Sequence, residues 1–566
     1  MLKRTGGQLL VDCLLAHDIP LITCVPGESF LPVMDALHDL PQAEGAPRLI
    51  VTRHEAAAAN IAEAAGKLTG RPAVCLVTRG PGATHASIGV HTAFQDGTPL
   101  ILVIGQVPRP HLGRNAFQEM DYSRVFGSSA KAVVTIMEAD RIPEHVARAV
   151  HIAQSGRPGP VVLVTPEDVL AEVDVAVAAP LHAPAYDAPL ISPADAERLC
   201  DALTRARRPM IIAGGAGWGT RVGDAITAFA EVNSIPIATA FRWQDCVDNS
   251  SESFVGYVGL GCDPALRARL FEADLLLAFG AGLDDPTSGG FELDRHPNVM
   301  VVSPAAADLC LNMIPTSAVI GSLESAAEVL ATIEVAKQPE RKEWLADLRA
   351  AYLAFRTPRS GHDAPVDLAR IVSHLDSVLP DDAIITNGAG NYTVWVQRFY
   401  RFRQFRTQLA PRNGAMGYGI PAGLAAAALK PGTTVVTFDG DGCALMSGSE
   451  IATAVQYGLK VVIIVVNNSM LGTIRMHQER SYPGRPIGTQ LTNPDFVQYA
   501  ASFGIAAYRV AGTEDFAAAF AGALRQDGPA LIEVQTDPAQ LTPDLRLDLA
   551  TTAGAGNRLT PGMQAE

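Results

Sequence analysis

The chain has 566 residues, 48% hydrophobic and 18% charged, with a formal charge of −15. That length suits roughly three to four ordinary domains with large cores, and the acidic balance without a long Lys/Arg run excludes a general attraction to nucleic acid or anionic membrane. The eight cysteines form no CxxC or Cys/His cluster, no run reaches eighteen uncharged apolar residues, and Asp12, His17 and Asp18 break the stretch behind Met1; zinc ribbons, disulfide frameworks, membrane spans and signal peptides are therefore not expected, and a cytoplasmic protein is the default.

Apolar, β-branched runs alternate with Ala-rich helical stretches along the chain. The strands expected are Val74–Thr78, Leu100–Gly105, Val161–Thr165, Met210–Ala213, Leu275–Gly280, Ala383–Thr386, Thr434–Phe438, Val461–Val466 and Ala530–Val534. Continuous runs bounded by Gly or Pro are the pattern of parallel strands buried on both faces, and the alternation predicts doubly wound α/β domains. Ala171–Pro193 and Lys337–Pro365 read as linkers, the second helical in pattern until Pro358 and Gly361. They divide the chain into about 1–180, 190–340 and 365–540, followed by a loop-like tail, 541–566. The first and third units share a strand–helix texture.

Taken in order, the first informative segment is Val25-Pro26-Gly27-Glu28-Ser29-Phe30, where Glu28 can cap a helix over Phe30–Leu37. After the strand Leu49–Thr52, Arg53-His54-Glu55 opens an Ala-rich helix. Read alone, Glu55 is a first-turn acid complementing the helix dipole. Gly66 to Pro72, a strand, and Thr78-Arg79-Gly80-Pro81-Gly82-Ala83-Thr84-His85 follow, then Ala116-Phe117-Gln118-Glu119. Later come Asn387-Gly388-Ala389-Gly390-Asn391 and Asn413-Gly414-Ala415-Met416-Gly417.

The segment richest in chemistry is Asp439-Gly440-Asp441-Gly442, ending one strand, with Asn467-Asn468 ending the next. The interval between them holds one helix, roughly Ser449–Tyr457, so the whole is a strand–helix–strand unit. Such a unit brings Asp441 and Asn467–Asn468 together at the carboxyl edge of the sheet, where open α/β sheets bind ligands. Carboxylate and carboxamide oxygens are hard donors suited to Mg²⁺, and Gly440 and Gly442 let backbone approach a diphosphate. A lone Gly-Asp-Gly is a turn; joined to Asn-Asn at this interval it reads as a metal–diphosphate site.

With these motifs in this order the sequence resembles the thiamin diphosphate enzyme superfamily, and within it the acetolactate synthases. Those read Arg-His-Glu, Thr-Ser-Gly-Pro-Gly-Ala-Thr-Asn, Gly-x-Met-Gly-x-Gly-x-Pro-Ala and Gly-Asp-Gly with a later Asn-Asn. The resemblance implies three stacked α/β domains, pyrimidine-binding, central and diphosphate-binding. It implies Mg²⁺ on Asp441, Asn468 and the Met470 carbonyl, with Asn467 supporting the fold. Cofactor contacts are implied at Gly388, Asn391, Met416, Gly440, Gly442, Cys443, Asn468, Met470, Leu471 and Gly472, Met416 wedging between the cofactor's rings. Glu55 would be the activating acid, a single carboxyl facing the aminopyrimidine. Glu28 matches an acid that serves proton transfer in some 2-oxo acid decarboxylases, Gln118 a substrate-side glutamine, and Lys131 a lysine at the channel mouth.

The activity implied is decarboxylation of a 2-oxo acid with carboligation to a second carbonyl, in a homodimer or homotetramer whose sites lie between subunits. The alternatives are a decarboxylase or C–C hydrolase without ligation, and a non-catalytic nucleotide- or flavin-binding protein. The likeness thins in the middle. There Gly261-Cys262-Asp263, Gly282-Leu283-Asp284-Asp285 and Val301-Val302-Ser303 stand where the synthases hold FAD with arginines and a later acid. FAD is therefore doubtful, and Gly214–Gly217 can be only a strand-to-helix turn. Met476 replaces a tryptophan that favours a bulkier acceptor, and the basic groups of Arg475, His477 and Arg480 face either a substrate anion or solvent.

Overall fold

The computed structural model describes residues 3–39, 47–176, 182–183, 189–333, 335–336, 338–359 and 364–547. The tail beyond 547 and parts of both expected linkers, 177–181, 184–188 and 360–363, lie outside the described residues.

Among the described residues there are three six-stranded sheets, each wholly parallel. The first runs Arg48–Val51, Leu21–Cys24, Ala73–Val77, Leu100–Gln106, Pro160–Pro166, Ala132–Thr135. Its inner strands bury every residue and its edge strands do not, which is why the inner ones read as unbroken apolar runs. The central sheet runs Phe254–Tyr257, Ile237–Thr239, Pro209–Ala213, Leu275–Phe279, Val299–Ser303, Ser317–Ile320. The last runs Gln408–Leu409, Ile384–Thr386, Val435–Gly440, Val462–Asn467, Ala530–Gln535, Ala506–Val510.

Numbered within themselves, the first and last sheets share one strand order, 2-1-3-4-6-5, which gives structural form to the texture they share in sequence. Strand order reverses between strands 1 and 3, so loops after those strands diverge and leave a crevice at the carboxyl edge. In the first sheet those loops carry Glu28 and Arg79; in the last they carry Gly388 and Asp441.

Contacts gather the chain into two compact units: Met1–Asp187 with Pro411–Thr433 and Ser447–Val461, and Ala188–Ala410 with Thr434–Met446 and Val462–Glu566. In the first unit, helix Glu55–Thr69 packs against helix Gly419–Leu429, both rich in Ala and Gly. A Cβ on Gly66 would meet the Pro99 carbonyl oxygen at 2.2 Å, so that glycine lets the first helix lie against the segment that enters strand Leu100–Gln106. Between the helices sits a buried charge cluster. Lys67 Nζ pairs with Asp96 and lies 3.6 Å from Glu63, whose other oxygen accepts from Tyr418 Oη at 2.5 Å.

In the second unit, the stretch read as a linker contains an 18-residue helix, Pro339–Arg356. Its face of Trp344, Leu348 and Tyr352 is buried in the central cores, and Arg341, 1% exposed, donates to the carbonyls of Leu203 and Ala206. The charged solvent face of this helix made the segment look like a linker; its apolar stripe at helical spacing makes it part of the domain.

Candidate active site

The last sheet's crevice is built from four loops. Gly388, after strand Ile384–Thr386, donates its N–H to Asp439 Oδ1 at 2.7 Å. Tyr392 Oη donates to the same oxygen at 3.0 Å, and burial holds that phenol far above its ordinary value, so it remains a donor. A Cβ on Gly388 would lie 3.0 Å from Asp439 Oδ1, 3.1 Å from Tyr392 Oη and 3.3 Å from Cys443 Sγ. Gly440 is closed in by the Tyr392 ring at 2.8 Å. These are positions where only backbone fits.

Asp441 differs from expectation in one respect: it begins a helix, Asp441–Ser447, and a second, Ile451–Gln456, follows in place of a single helix near Ser449–Tyr457. An acid in a helix's first turn meets the free backbone N–H groups, and Gly448 interrupts the helix. Asp441 is 2% exposed, and burial raises its carboxyl above the usual range, opposed by Asn493 and by N–H groups of Gly442, Ser469 and Met470. Asn493 Nδ2 donates both to Asp441 Oδ2, at 2.8 Å, and to Asn467 Oδ1, at 2.9 Å. Asn467 in turn donates to the buried Glu533, as a support for the strand end. Asn468 Oδ1 accepts the Met470 N–H at 3.1 Å, and a Cβ on Gly472 would lie 3.2 Å from Asn468 Nδ2. Leu471 precedes helix Gly472–Ser481, and Cys443 Sγ donates to the Ala389 carbonyl.

Asp441, Asn467, Asn468, Met470 and the Gly388 loop are thus brought to one edge. The oxygen donors are those a Mg²⁺ ion takes, and the cramped glycines keep side chains out of the loops that border them. Asn391 is committed locally: its Oδ1 accepts from Thr473 Oγ1 at 2.9 Å and its Nδ2 faces Met476 Sδ at 3.7 Å. Met476 therefore packs directly against the cofactor-loop asparagine. Arg475 and Glu479 are buried together as an ion pair, so Arg475 is structural. Asn493 was not foreseen; it lies in an Asn-Pro-Asp loop whose only visible signal is helix capping by Asp495.

In the first unit, Glu55 opens helix Glu55–Thr69 behind the N-cap His54, whose Nδ1 accepts the Ala56 N–H at 3.0 Å. The Glu55 side chain is 14% exposed. Its Oε2 lies 2.9 Å from His85 Nδ1, and Oε1 faces Gly82, where a Cβ would sit 3.4 Å away. The His54 and His85 rings stack at 4.6 Å. Their ligand atoms and Glu55 lie within 4.8 Å of one another, but stacked rings aim their lone pairs side by side, and His54 Nδ1 is already used. Glu450, fully buried and raised by that burial, receives the Arg53 N–H and so fixes the entry to the helix.

Beside it, Arg79 is 9% exposed and holds three partners: Glu28 at 3.4 Å, Glu167 at 3.1 Å and the Phe117 carbonyl at 3.3 Å. It ties Glu28 and the Gln118 loop to one strand end. Gln118 has φ of +64°, packs on Gly80, and its buried Oε1 accepts no hydrogen bond. Met416 is half-buried just ahead of helix Gly419–Leu429. Lys131 departs from expectation: its ammonium donates to the carbonyls of Ile152, Ser155 and Arg157, at and just beyond the end of helix Ile142–Gln154. A cation there answers the helix dipole and is not presented to a channel.

In the central sheet, Asp263 and Asp284 both cap helices, through Ala265 N and Thr287 N. Gly215 (φ +91°) packs so tightly that a Cβ would meet the Gly280 carbonyl at 1.9 Å. These residues serve as helix caps and a tight turn.

Residues 4–125 match the N-terminal TPP binding domain of thiamine pyrophosphate enzymes, 196–331 their central domain, and 388–534 their C-terminal TPP binding domain. The chain is 32% identical to the acetolactate synthase large subunit of Parasynechococcus marenigrum, over 94% of this chain and 87% of that one. It is 30% identical to that of Corynebacterium glutamicum (96% and 88%) and 29% to a probable acetolactate synthase large subunit of Methanocaldococcus jannaschii (95% and 93%).

Proposed function

The chain belongs to the thiamine pyrophosphate enzymes, of the acetolactate synthase-like kind, and from that premise we propose that it decarboxylates a 2-oxo acid and ligates the remaining fragment to a second carbonyl. Thiamin diphosphate, when bound, would supply a thiazolium carbon acid and an electron sink for the decarboxylation. The protein's part is to hold and to move protons. Asp441, Asn468 and the Met470 carbonyl hold Mg²⁺, and the Gly388 loop with Gly440, Gly442 and Gly472 receives the diphosphate. Glu55 would hold a proton at Oε1 for the cofactor, Met416 would pack against the cofactor's rings, and Gln118 offers a buried acceptor to the substrate. Arg79, pairing with Glu28, keeps that acid oriented for proton transfer.

The observation that supports this reading best is the gathering of Asp441, Asn468 and the Gly388 loop at a strand-order reversal. We assign the pyrimidine-binding, central and diphosphate-binding domains to 1–180, 190–340 and 365–540, and infer at least a homodimer with sites shared between subunits. No described helix is long and apolar enough to cross a membrane, and we assign the chain to the cytoplasm. Met476, slimmer than tryptophan, leaves the acceptor side open. A screen of 2-oxo acids with Mg²⁺ and thiamin diphosphate, following CO₂ and coupled product together, tests the proposal. Release of CO₂ with only an aldehyde product, across all acceptors, would reject ligation.

A further inference from the structure

We propose that His85 is a proton relay for Glu55, returning to one carboxyl oxygen the proton that the other delivers. This rests on the reading of Glu55 as the cofactor-activating acid. The two carboxyl oxygens have different surroundings. Oε2 is 2.9 Å from His85 Nδ1, while Oε1 faces the Gly82 backbone and is the oxygen left to meet a ligand. The Glu55 side chain is 14% exposed and His85 51%, so the imidazole is the more solvent-open partner of the pair. His54 does not compete. Its Nδ1 accepts the Ala56 N–H, which places its proton on Nε2, and it stacks on His85 at 4.6 Å, fixing the plane of the relay ring.

The proton balance closes without another reactant. When Oε1 gives up its proton, the O–H bond breaks and the carboxylate accepts a proton at Oε2 from His85 Nδ1–H. The donor is the imidazolium form of the ring, which is left neutral with its proton on Nε2; a proton from water or buffer restores the imidazolium before the next delivery, and a half-turn of the carboxyl, whose terminal torsion is soft and two-fold, brings the protonated oxygen round to the ligand side. Each proton delivered is matched by one taken from solvent. A histidine suits the task because both ring nitrogens exchange protons near neutrality. An asparagine in its place would keep a hydrogen bond to the carboxyl and carry no proton.

The test uses the full-length protein with Mg²⁺ and thiamin diphosphate, measuring exchange of the thiazolium C2 proton for deuterium by acid quench and NMR. Wild type should exchange at a rate independent of buffer concentration. His85→Asn and His85→Ala should bind cofactor normally and exchange roughly tenfold to a hundredfold more slowly. Added imidazole should restore the rate in His85→Ala, which a merely structural role would not allow. Wild-type exchange in both His85 variants, or slow exchange that imidazole leaves unchanged, overturns the relay. Wild-type exchange in Glu55→Gln overturns the reading of Glu55 itself, and the relay with it.

Discussion

Asn493→Ala removes a side chain that ties two strand ends together by holding the carboxylate of the expected metal ligand Asp441. Its Nδ2 donates to Asp441 Oδ2 at 2.8 Å and to Asn467 Oδ1 at 2.9 Å. A hydrogen bond to a charged group contributes about 1.5–3 kcal/mol and one to a neutral group about 1 kcal/mol. Asp441, 2% exposed, keeps the Gly442 N–H at 2.8 Å, so part of the loss is offset locally. The net cost to a properly aimed carboxylate is then about 2 kcal/mol, roughly thirtyfold in affinity. That lies within the loss of about ten- to a hundredfold typical of groups that orient metal ligands. Calorimetric titration of the variant with thiamin diphosphate at fixed Mg²⁺ should show the weakening, and raising Mg²⁺ should recover most of it. Wild-type affinity in a folded variant would refute the idea that Asn493 aims Asp441.

Lys67→Met should destabilise the first unit by about 3–5 kcal/mol, since it leaves the buried carboxyls of Glu63 and Asp96 without their cation; urea unfolding would measure it. Gly388→Ala should fold and lose cofactor affinity at least tenfold in the same calorimetry, because its Cβ would press on Asp439 and Tyr392 at about van der Waals limits. His296 gives a pH prediction. It is 4% exposed, its Nε2 donates to the Ala273 carbonyl and its Nδ1 accepts from Asn298, and burial lowers its pKa below the ordinary 6.5. The unfolded chain therefore binds a proton that the folded one refuses, so the contribution is intact above 6.5 and lost as pH falls below it. Thermal midpoints on acidification should fall less steeply in His296→Gln than in wild type.

Much of this was legible in the sequence because parallel strands buried on both faces must be written as unbroken apolar runs, and their polar ends then announce a ligand edge. Asp439 to Gly442 and Asn467–Asn468 were readable for that reason. Asn493 was not, because it reaches Asp441 from a loop far along the chain and its local pattern reads only as a cap. The helical pattern of Pro339–Arg356 was readable, but its charged face hid that it packs into the domain, and Lys131 was hidden by a role, closing a helix end, that depends on carbonyls more than twenty residues away. The shared strand order of the first and last sheets is a property of long-range pairing that no local pattern carries. His85 was visible as a residue, but its contact with Glu55 joins two helices, Pro81–His85 and Glu55–Thr69, that follow different strands.

The most direct test of the account is titration of the full-length protein with thiamin diphosphate, once with Mg²⁺ and once with EDTA. Saturable binding that requires the divalent ion, and that Asp441→Ala abolishes, is the predicted result; absence of binding in Mg²⁺, or equal binding in EDTA, would contradict it.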